Sequence, residues 1–381
     1  MTPSGRRRPT TSRVRTGLRI AIPVVAAAVL AATVVVACGD PIAVVGDVPG
    51  IMRIVAGVAN NGGETEEALA TDSRIGNPAG LAIAPSGELF VVETANARVS
   101  AVASNGAFRV LRADRFCSAD PCLDMPTDAA LGPDGLLLVA DVRGRRIWQF
   151  DPEAGTAQVV AGTGVSAAAA DGTPATEASI QDPRGVAVDA DGIVYFSERT
   201  GHRIRYIDGA GNLQTLAGTG VPGFSGDGGQ AAAAQLNTPG GLGIGAGILY
   251  VADSGNDRVR AIDLDAGTIE TVAGSGVRGY TGDGIDATAS ALNFPEDVTA
   301  TQDGRRIFIA DTGNHRVRHV PLATGLIETY AGNGDPAFTG DQRDAGAVGL
   351  DAPSGVTTGP FGFLFVSDPG HDVVWRVVLG F

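Results

Sequence analysis

The sequence predicts an all-β fold: a six-bladed β-propeller of four-stranded blades, its ring closed by an N-terminal strand that pairs with the last blade. Three observations support this prediction. The 381 residues include 55 glycines and are 44% apolar but 5% aromatic, which is typical of short strands packed through Val, Ile, Leu and Ala. One nine-residue motif recurs six times, at intervals of about 56 residues. Four short strand patterns fit within each interval.

The repeated motif combines an acid, an arginine five positions later and then a β-branched residue. Its copies are VETANARVS from Val92, ADVRGRRIW from Ala140, SERTGHRIR from Ser197, ADSGNDRVR from Ala252, ADTGNHRVR from Ala310 and a looser SDPGHDVVW from Ser367. A catalytic site is normally built once, whereas each copy here serves one blade. We therefore predict that the carboxylate accepts turn N–H groups and pairs with the arginine, holding a strand connection. His202 and His315 lie inside the motif and are assigned the same structural role.

Each blade is predicted to begin near a proline and to contain four strands. The prolines are Pro78, Pro126, Pro183, Pro239, Pro295 and Pro353. Residues 239–274 illustrate the four strands as GLGIG, ILYVAD, RVRAID and TIETVAG. The last blade ends at VVWRVVLGF, after its third strand, whereas IMRIVAG at residues 51–57 resembles the fourth strands of the other blades. We therefore predict that this segment pairs with the last blade and covers an open sheet edge.

The connectors between blades repeat as well. Three copies are AGTGVPGFSGDGGQAAAAQLNTP at 217–239, AGSGVRGYTGDGIDATASALNFP at 273–295 and AGNGDPAFTGDQRDAGAVGLDAP at 331–353. With the motif copies, they resemble the NHL-repeat family of β-propellers, in the form found in exported bacterial proteins, over residues 51–381. That family includes scaffolds, receptor sensor domains, RNA binders and lyases, so the resemblance implies a fold more than a function. The Gly-Asp loops at 226–228 and 282–284 indicate turns or calcium sites, and we favour turns because EF-hand spacing is absent.

The N-terminus has the layout of an export signal. Residues 1–37 are an arginine-rich stretch followed by an apolar run that ends in small residues. The segment Val35-Val36-Ala37-Cys38 resembles the bacterial lipobox, which implies lipidation of Cys38, a linker over 38–50 and a membrane-anchored lipoprotein of the cell envelope. An uncleaved membrane anchor and ordinary signal cleavage are the alternatives. On each of these readings the propeller of residues 51–381 lies outside the cytoplasm.

The other cysteines and the charge fit that compartment. Cys117 and Cys122 are predicted to form a local disulfide, since an oxidising environment favours pairing and zinc would need ligands that are not near in sequence. Their connector departs from the Gly-Asp pattern, and the last blade departs by lacking the arginine. The sequence has 28 basic residues, all of them arginine, and 42 acidic residues, which gives a net charge of -14. Such a surface repels phosphate backbones and argues against nucleic acid as a partner.

A candidate site follows from an asymmetry among the blades. Two residues after the opening proline, four blades have glycine, whereas the second and fifth have Asp128 and Asp297. These blades are opposite in a six-membered ring, so we expect two carboxylates to face each other at the channel mouth. Glu296 lies beside one of them and Arg184 on a neighbouring blade. Oxygen ligands of this kind suit Ca²⁺ or Mg²⁺. The alternative is that each aspartate caps its own strand turn.

The sequence favours binding over catalysis. It contains no G-x-S-x-G motif, and its cysteines are assigned to lipidation and a disulfide. We predict a monomeric binding or scaffolding protein that holds a protein, peptide or glycan, with the loops at 94–97, 199–202, 312–315 and 369–372 on one face. A metal-dependent lyase or lactonase-like hydrolase at the channel mouth is the alternative, and a purely structural role is a third. The family's amidating lyases hold zinc through histidines after the opening prolines, and no histidine stands there in this sequence.

Overall fold

The computed structural model describes residues 49–62, 69–111 and 122–379. Within them, six antiparallel sheets form the six blades of a β-propeller. The first strands of all six blades line the central channel. In the same residues, no helix is long and apolar enough to cross a bilayer. The predicted fold class is confirmed, while the predicted signal peptide, Cys38 and most of the linker lie outside the described residues.

The first two blades and the strand before them run in chain order. Strand β1 (Ile51–Ala56) precedes the first blade, which contains β2 (Pro78–Ile83), β3 (Leu89–Glu93), β4 (Arg98–Val102) and β5 (Phe108–Leu111). The second blade contains β6 (Pro126–Leu131), β7 (Leu137–Asp141), β8 (Arg146–Asp151) and β9 (Thr156–Ala161).

The third, fourth and fifth blades each gain a two-residue strand from the preceding connector. The third contains β10 (Thr173–Pro174), β11 (Pro183–Val188), β12 (Val194–Glu198), β13 (Arg203–Ile207) and β14 (Asn212–Ala217). The fourth contains β15 (Gly229–Gln230), β16 (Leu242–Gly245), β17 (Ile248–Asp253), β18 (Arg258–Asp263) and β19 (Thr268–Ala273). The fifth contains β20 (Ile285–Asp286), β21 (Asp297–Ala300), β22 (Arg306–Asp311), β23 (Arg316–Pro321) and β24 (Leu326–Ala331).

The sixth blade combines the two ends of the ring. It contains β25 (Arg343–Asp344), β26 (Gly355–Gly359), β27 (Phe363–Asp368) and β28 (Val373–Val378), with β1 between β25 and β28. Short 3₁₀ turns lie at Ala175–Glu177, Ala231–Ala233, Ser254–Asn256, Ala287–Ala289, Thr312–Asn314, Ala345–Ala347 and Pro360–Gly362. The sequence predicted four strands per blade and missed the two-residue strands, because a pair of bridges at a sheet edge leaves no hydrophobic pattern.

The N-terminal strand closes the ring as predicted. Met52 pairs with Val377 and Ile54 with Trp375 in an antiparallel ladder between β1 and β28. On its other side β1 pairs with β25, and the Ile54 N–H donates to Asp341 Oδ1 at 2.8 Å. Met52 and Ala56 are fully buried. Both edges of β1 are therefore covered, which removes a free sheet edge from the ring.

The hydrophobic core is divided among the junctions between blades. Six apolar clusters are present in the described residues, and each draws on two neighbouring blades. The cluster between the fifth and sixth blades, for example, packs Phe308 and Val317 against Val366 and Trp375. Each blade alone exposes both faces of its sheet, so its apolar residues are buried when the next blade packs against it.

A fully buried acid ends the second strand of every blade. These acids are Glu93, Asp141, Glu198, Asp253, Asp311 and Asp368. Each accepts a backbone N–H from the segment that leads into the first strand of its own blade, as Asp253 does from Asn237 at 2.8 Å. The predicted structural role of the motif acid is therefore confirmed.

The predicted arginine partner is wrong in most blades. The spacing of five holds for Arg98 and Glu93, at 2.9 Å. In three blades the cation near the acid lies seven residues on, in the pairs Glu198–Arg205, Asp253–Arg260 and Asp311–Arg318 at 3.2, 3.6 and 3.7 Å. In the second and sixth blades the residue at that spacing is a tryptophan, and its indole donates to the acid.

Position along the third strand explains the difference. Residues five and seven positions after the acid lie on one face of that strand, since side chains alternate. The first of them stands at the end of the strand and reaches outward, as Arg258 does to the Ser275 carbonyl at 2.7 Å. The second is enclosed by the sheet, and the side chains of Arg260 and Arg318 are fully buried. The buried arginine is therefore the one that faces the buried acid.

The Gly-Asp loops complete this buried network. Arg260 and Arg318 contact Asp227 and Asp283 at 2.7 and 2.9 Å, and Thr271 and Thr329 donate to the same aspartates at 2.8 and 2.9 Å. An aromatic ring covers each arginine pair: Phe224 lies over Arg258 and Arg260, and Tyr280 over Arg316 and Arg318. The loops thus fasten each connector to the blade that follows, in agreement with the turn interpretation.

The motif histidines join neighbouring blades. His202 Nδ1 accepts the Thr238 N–H and His315 Nδ1 accepts the Ala352 N–H, each at 3.1 Å. Both histidines have left-handed backbones. Asp257 occupies the corresponding position in the fourth blade and accepts the Phe294 N–H at 2.8 Å. These histidines have the structural role predicted for them.

The predicted disulfide is not seen in the structure. Cys122 forms no disulfide with another described residue, and Cys117 lies outside the described residues. The pairing of Cys117 with Cys122 stays a prediction.

Replacing Arg318 by Ala should lower the free energy of unfolding by about 3–5 kcal/mol, because it leaves the carboxylate of Asp311 buried without its cation. The matched control is Arg143→Ala, which breaks an ion pair with Asp124 whose side chains are 65% and 46% exposed and should cost less than about 1 kcal/mol. Urea unfolding of the two variants measures both values. Equal losses would contradict the structural role of the buried pair.

Candidate functional site

The candidate site lies near the beginning of the six first strands, at the level of the channel that is here called the neck. The first strands of the six blades enclose a channel cavity of about 200 Å³. At its neck, the position two residues after the opening proline is occupied by Gly80, Asp128, Gly185, Gly241, Asp297 and Gly355. A Cβ at Gly80 or Gly241 would clash with the neighbouring Asp128 or Asp297. The glycines therefore leave room for the two aspartates.

Asp128 and Asp297 join neighbouring blades in the same way on opposite sides of the ring. Asp128 accepts the N–H of Ala129, in its own strand, and of Val186, in the third blade, both at 2.9 Å. Asp297 accepts the N–H of Val298 and of Val356, in the sixth blade, both at 2.8 Å. Each aspartate thus caps its own strand, as the alternative prediction held, and also fixes the first strand of the next blade.

The two carboxyl groups influence each other's ionisation. Both residues are more than nine-tenths buried. Burial raises the pKa of Asp128 to about 7, against the opposing effects of its N–H donors and of Arg184. Burial, followed by the charge of Asp128, raises the pKa of Asp297 well above its usual range. Near neutral pH the pair therefore holds a proton that two isolated aspartates would have lost.

Arg184 and Glu296 meet at the mouth beside the neck. The Arg184 guanidinium contacts the Glu296 carboxylate directly, from the third to the fifth blade. Arg199 lies 4.0 Å from the same carboxylate, and its guanidinium is 5.5 Å from the Phe294 ring centroid. The side chains of Arg184, Glu296 and Arg199 keep 20%, 15% and 29% of their surface exposed. These three residues are here called the mouth cluster.

The structure brings the predicted residues to one end of the channel. Arg184 lowers the pKa of Asp128, and Glu296 raises that of Asp297, so the mouth cluster acts on the aspartate pair. Sequence reasoning missed Arg199 and Phe294. The signal for Arg199 was its place in the loop at 199–202, one of the four loops predicted to form a ligand-binding face.

The residues that could hold a metal are the two aspartates. Each of their oxygens already accepts one backbone N–H. Among the described residues, no three His, Cys, Asp or Glu side chains come close enough together to hold a metal ion. The binding of Ca²⁺ or Mg²⁺ at Asp128 and Asp297 stays a prediction.

The raised pKa of Asp128 predicts a pH-dependent stability. Its folded-state pKa of about 7 exceeds the usual 3.8. The contribution of the protonated carboxyl to the free energy of unfolding is therefore fully present below about pH 4 and is lost as the pH rises through about 7. Between pH 5 and pH 8 the free energy of unfolding of the wild type should therefore fall by about 2–3 kcal/mol relative to Asp128→Asn. Urea unfolding across this range measures the difference, with Asp134→Asn, in an exposed turn, as the control. Parallel pH profiles for wild type and Asp128→Asn would refute it.

Known proteins share parts of this sequence. The Teneurin NHL domain family matches residues 151–221, and the NHL repeat family matches residues 292–320. NHL repeat-containing protein 2 of Gallus gallus is 29% identical over 218 residues, which cover 52% of this chain and 30% of that protein. The chain spans less than a third of the length of the first curated relatives that it matches.

Two solved structures show the same fold. An auxiliary nutrient binding protein of Bacteroides thetaiotaomicron aligns with a TM-score of 0.63 and 13% identity, over 86% of this chain and 75% of that one. A gluconolactonase of Xanthomonas campestris aligns with a TM-score of 0.54 and 16% identity, over 88% and 98%. At such identities the likeness concerns the fold alone. The described residues thus form a six-bladed β-propeller, in which residues 151–221 match the Teneurin NHL domain family and residues 292–320 match the NHL repeat family.

Proposed function

We propose that the chain is an envelope-anchored binding or scaffolding protein that receives a protein, peptide or glycan at the channel mouth. The observation that carries this proposal is the mouth cluster. Its three charged side chains come from the third and fifth blades, stay partly exposed, and are oriented by contacts with one another and with Phe294. Pre-ordered polar groups beside a concave opening are what a binding site requires.

The local chemistry supports holding a ligand rather than transforming one. The Glu296 carboxylate is neutralised by Arg184 and Arg199. Two hydroxyls of this region are engaged with backbone groups: Thr127, next to Asp128 in the chain, donates to the Arg184 carbonyl at 2.9 Å, and Ser197 donates to the Gly240 carbonyl at 2.7 Å. A nucleophile would need a base within hydrogen-bond reach, and these hydroxyls have backbone partners instead.

A metal-dependent lyase or lactonase-like hydrolase is the second candidate. One observation favours it: two buried carboxylates, Asp128 and Asp297, stand at the neck of the channel. A bound Ca²⁺ or Mg²⁺ would supply a positive charge to polarise a carbonyl. We place this function second because Ca²⁺ takes six to eight oxygen ligands and Mg²⁺ six, whereas these aspartates already accept four backbone N–H groups.

The proposal is tested by capture from a native envelope extract, using the wild-type chain, the double variant Arg184→Ala/Arg199→Ala and the control Arg143→Ala. One stoichiometric partner should be recovered with the wild type and the control. The double variant should recover at least about tenfold less, since arginine is one of the residue types that most often carry the binding energy of an interface. Turnover of a lactone or ester by the purified chain that Asp128→Asn/Asp297→Asn abolishes would contradict the binding proposal and favour the hydrolase.

The anchor is tested separately. Lipidation of Cys38 would hold the chain in the membrane fraction, so Cys38→Ala should move it to the soluble fraction. Cell fractionation and intact mass of the purified chain measure this, with Cys122→Ala as the control that keeps Cys38. Retention of Cys38→Ala in membranes to the same extent as the wild type would overturn the lipoprotein assignment.

A further inference from the structure

A second cavity opens at the opposite end of the channel. We call this end the hairpin face, because it carries the turns between the first and second strands at 84–88, 246–247, 301–305 and 360–362. The cavity, of about 940 Å³, lies among blades one, four, five and six. Its lining shares Ile83, Ile244, Thr299, Thr357 and Thr358 with the channel cavity. We refer to it as the hairpin-face cleft; its size is that of sites for small ligands.

Unequal turns create the cleft. The fourth blade connects β16 to β17 through Ala246 and Gly247, both with positive φ, which is the tightest hairpin connection. The fifth blade uses five residues, 301–305, between β21 and β22. The turn of the fourth blade is therefore three residues shorter than that of the fifth, which faces the same cleft. The short turn is specific to one blade, so the repeat itself does not account for it.

An exposed aromatic ring lines the cleft. Phe361 lies in the turn Pro360–Gly362, has a φ of 65°, and is 66% exposed. A bulky residue in the left-handed region is strained, and glycine would relieve the strain. An exposed phenylalanine also gains nothing from burial in the chain itself. Strained residues persist mainly where function requires them.

The polar groups of the cleft suit a ligand rich in hydroxyls. Thr299, Thr357 and Gln302 line it and offer two hydroxyls and an amide. Asp303 and Arg305 form an exposed ion pair at 3.6 Å, which puts an acceptor and a donor side by side at the rim. Ile83, Ile244 and Leu379 add an apolar floor. The cleft thus combines an aromatic ring, aliphatic side chains and both neutral and charged hydrogen-bonding groups.

We propose that the hairpin-face cleft binds a short saccharide, with one face of a sugar ring stacked on Phe361 and its hydroxyls bonded to Gln302, Asp303 and Thr357. A sugar ring has an apolar face of C–H groups and an edge of hydroxyls, which matches this lining. The site goes beyond the function proposed for the mouth cluster, because it lies at the other end of the channel and uses none of the same residues.

Isothermal titration of the purified chain with maltose, cellobiose and N,N′-diacetylchitobiose tests the proposal. At least one of the three should bind the wild type. Phe361→Gly removes the ring and relieves the backbone strain, so it should fold normally and weaken binding at least about tenfold. Phe361→Trp should keep the affinity within about twofold. Val277→Ala truncates an apolar side chain that is equally exposed, at 66%, in another part of the chain and serves as the matched control.

The outcomes separate this site from the mouth cluster. Arg184→Ala/Arg199→Ala should leave disaccharide binding unchanged, whatever it does to capture from the envelope extract. No heat of binding with any of the three disaccharides, or equal affinities for the wild type and Phe361→Gly, would overturn the proposal. Binding of phosphatidylcholine vesicles that requires Phe361, with no disaccharide binding, would overturn it as well and assign the ring to a lipid surface.

Discussion

The propeller depends on one constraint: a carboxylate that is fully buried at the end of each second strand. A buried charge is tolerated when it is paired and hydrogen-bonded. Each acid therefore needs an N–H from the segment leading into its blade, as Asp311 takes from Asn293. That bond sets where the first strand begins, and so where the residues of the channel neck lie. The mouth cluster and the aspartate pair stand on strands positioned in this way.

The equivalent buried carboxylate has different side-chain partners in different blades. Three use a buried arginine that also contacts the connector aspartate, so the charge is shared between sheet and loop. The sixth blade, which lacks the motif arginine, supplies His371 and the Trp375 indole to Asp368 at 2.8 and 2.9 Å. The absence of arginine there therefore reflects an alternative set of donors. The departure of the last blade from the repeated motif therefore has a structural explanation.

The repeated motif allowed the fold to be predicted from the sequence. The site was harder to predict, because part of it lies where one blade differs from the others. Six copies of one motif predicted six blades, and the unmatched segment at 51–57 predicted ring closure. Position in the ring also placed Asp128 opposite Asp297 and brought Arg184 to Glu296. The arginine seven residues after the acid was missed. The spacing along a strand shows which side chains lie on the same face, whereas the burial of each position in the sheet decides which of them contacts the acid. Phe361 lies in a three-residue turn, whereas the equivalent turns of the other blades have five or two residues, so comparison of repeats gave no signal for it.

The pairing of β1 with β28 also orders the events of folding. Met52 meets Val377 across nearly the whole length of the propeller sequence, and such distant contacts form late because a long loop must first close. Strand β1, which is synthesised before the other strands of the propeller, therefore pairs only after β28 has been synthesised. Until they meet, β28 keeps an open edge, and the first and sixth blades lack the cluster that joins them. Aggregation through the open edge would therefore compete with the late pairing of β1 and β28. A chaperone that covered this edge would be needed only until that pairing is complete.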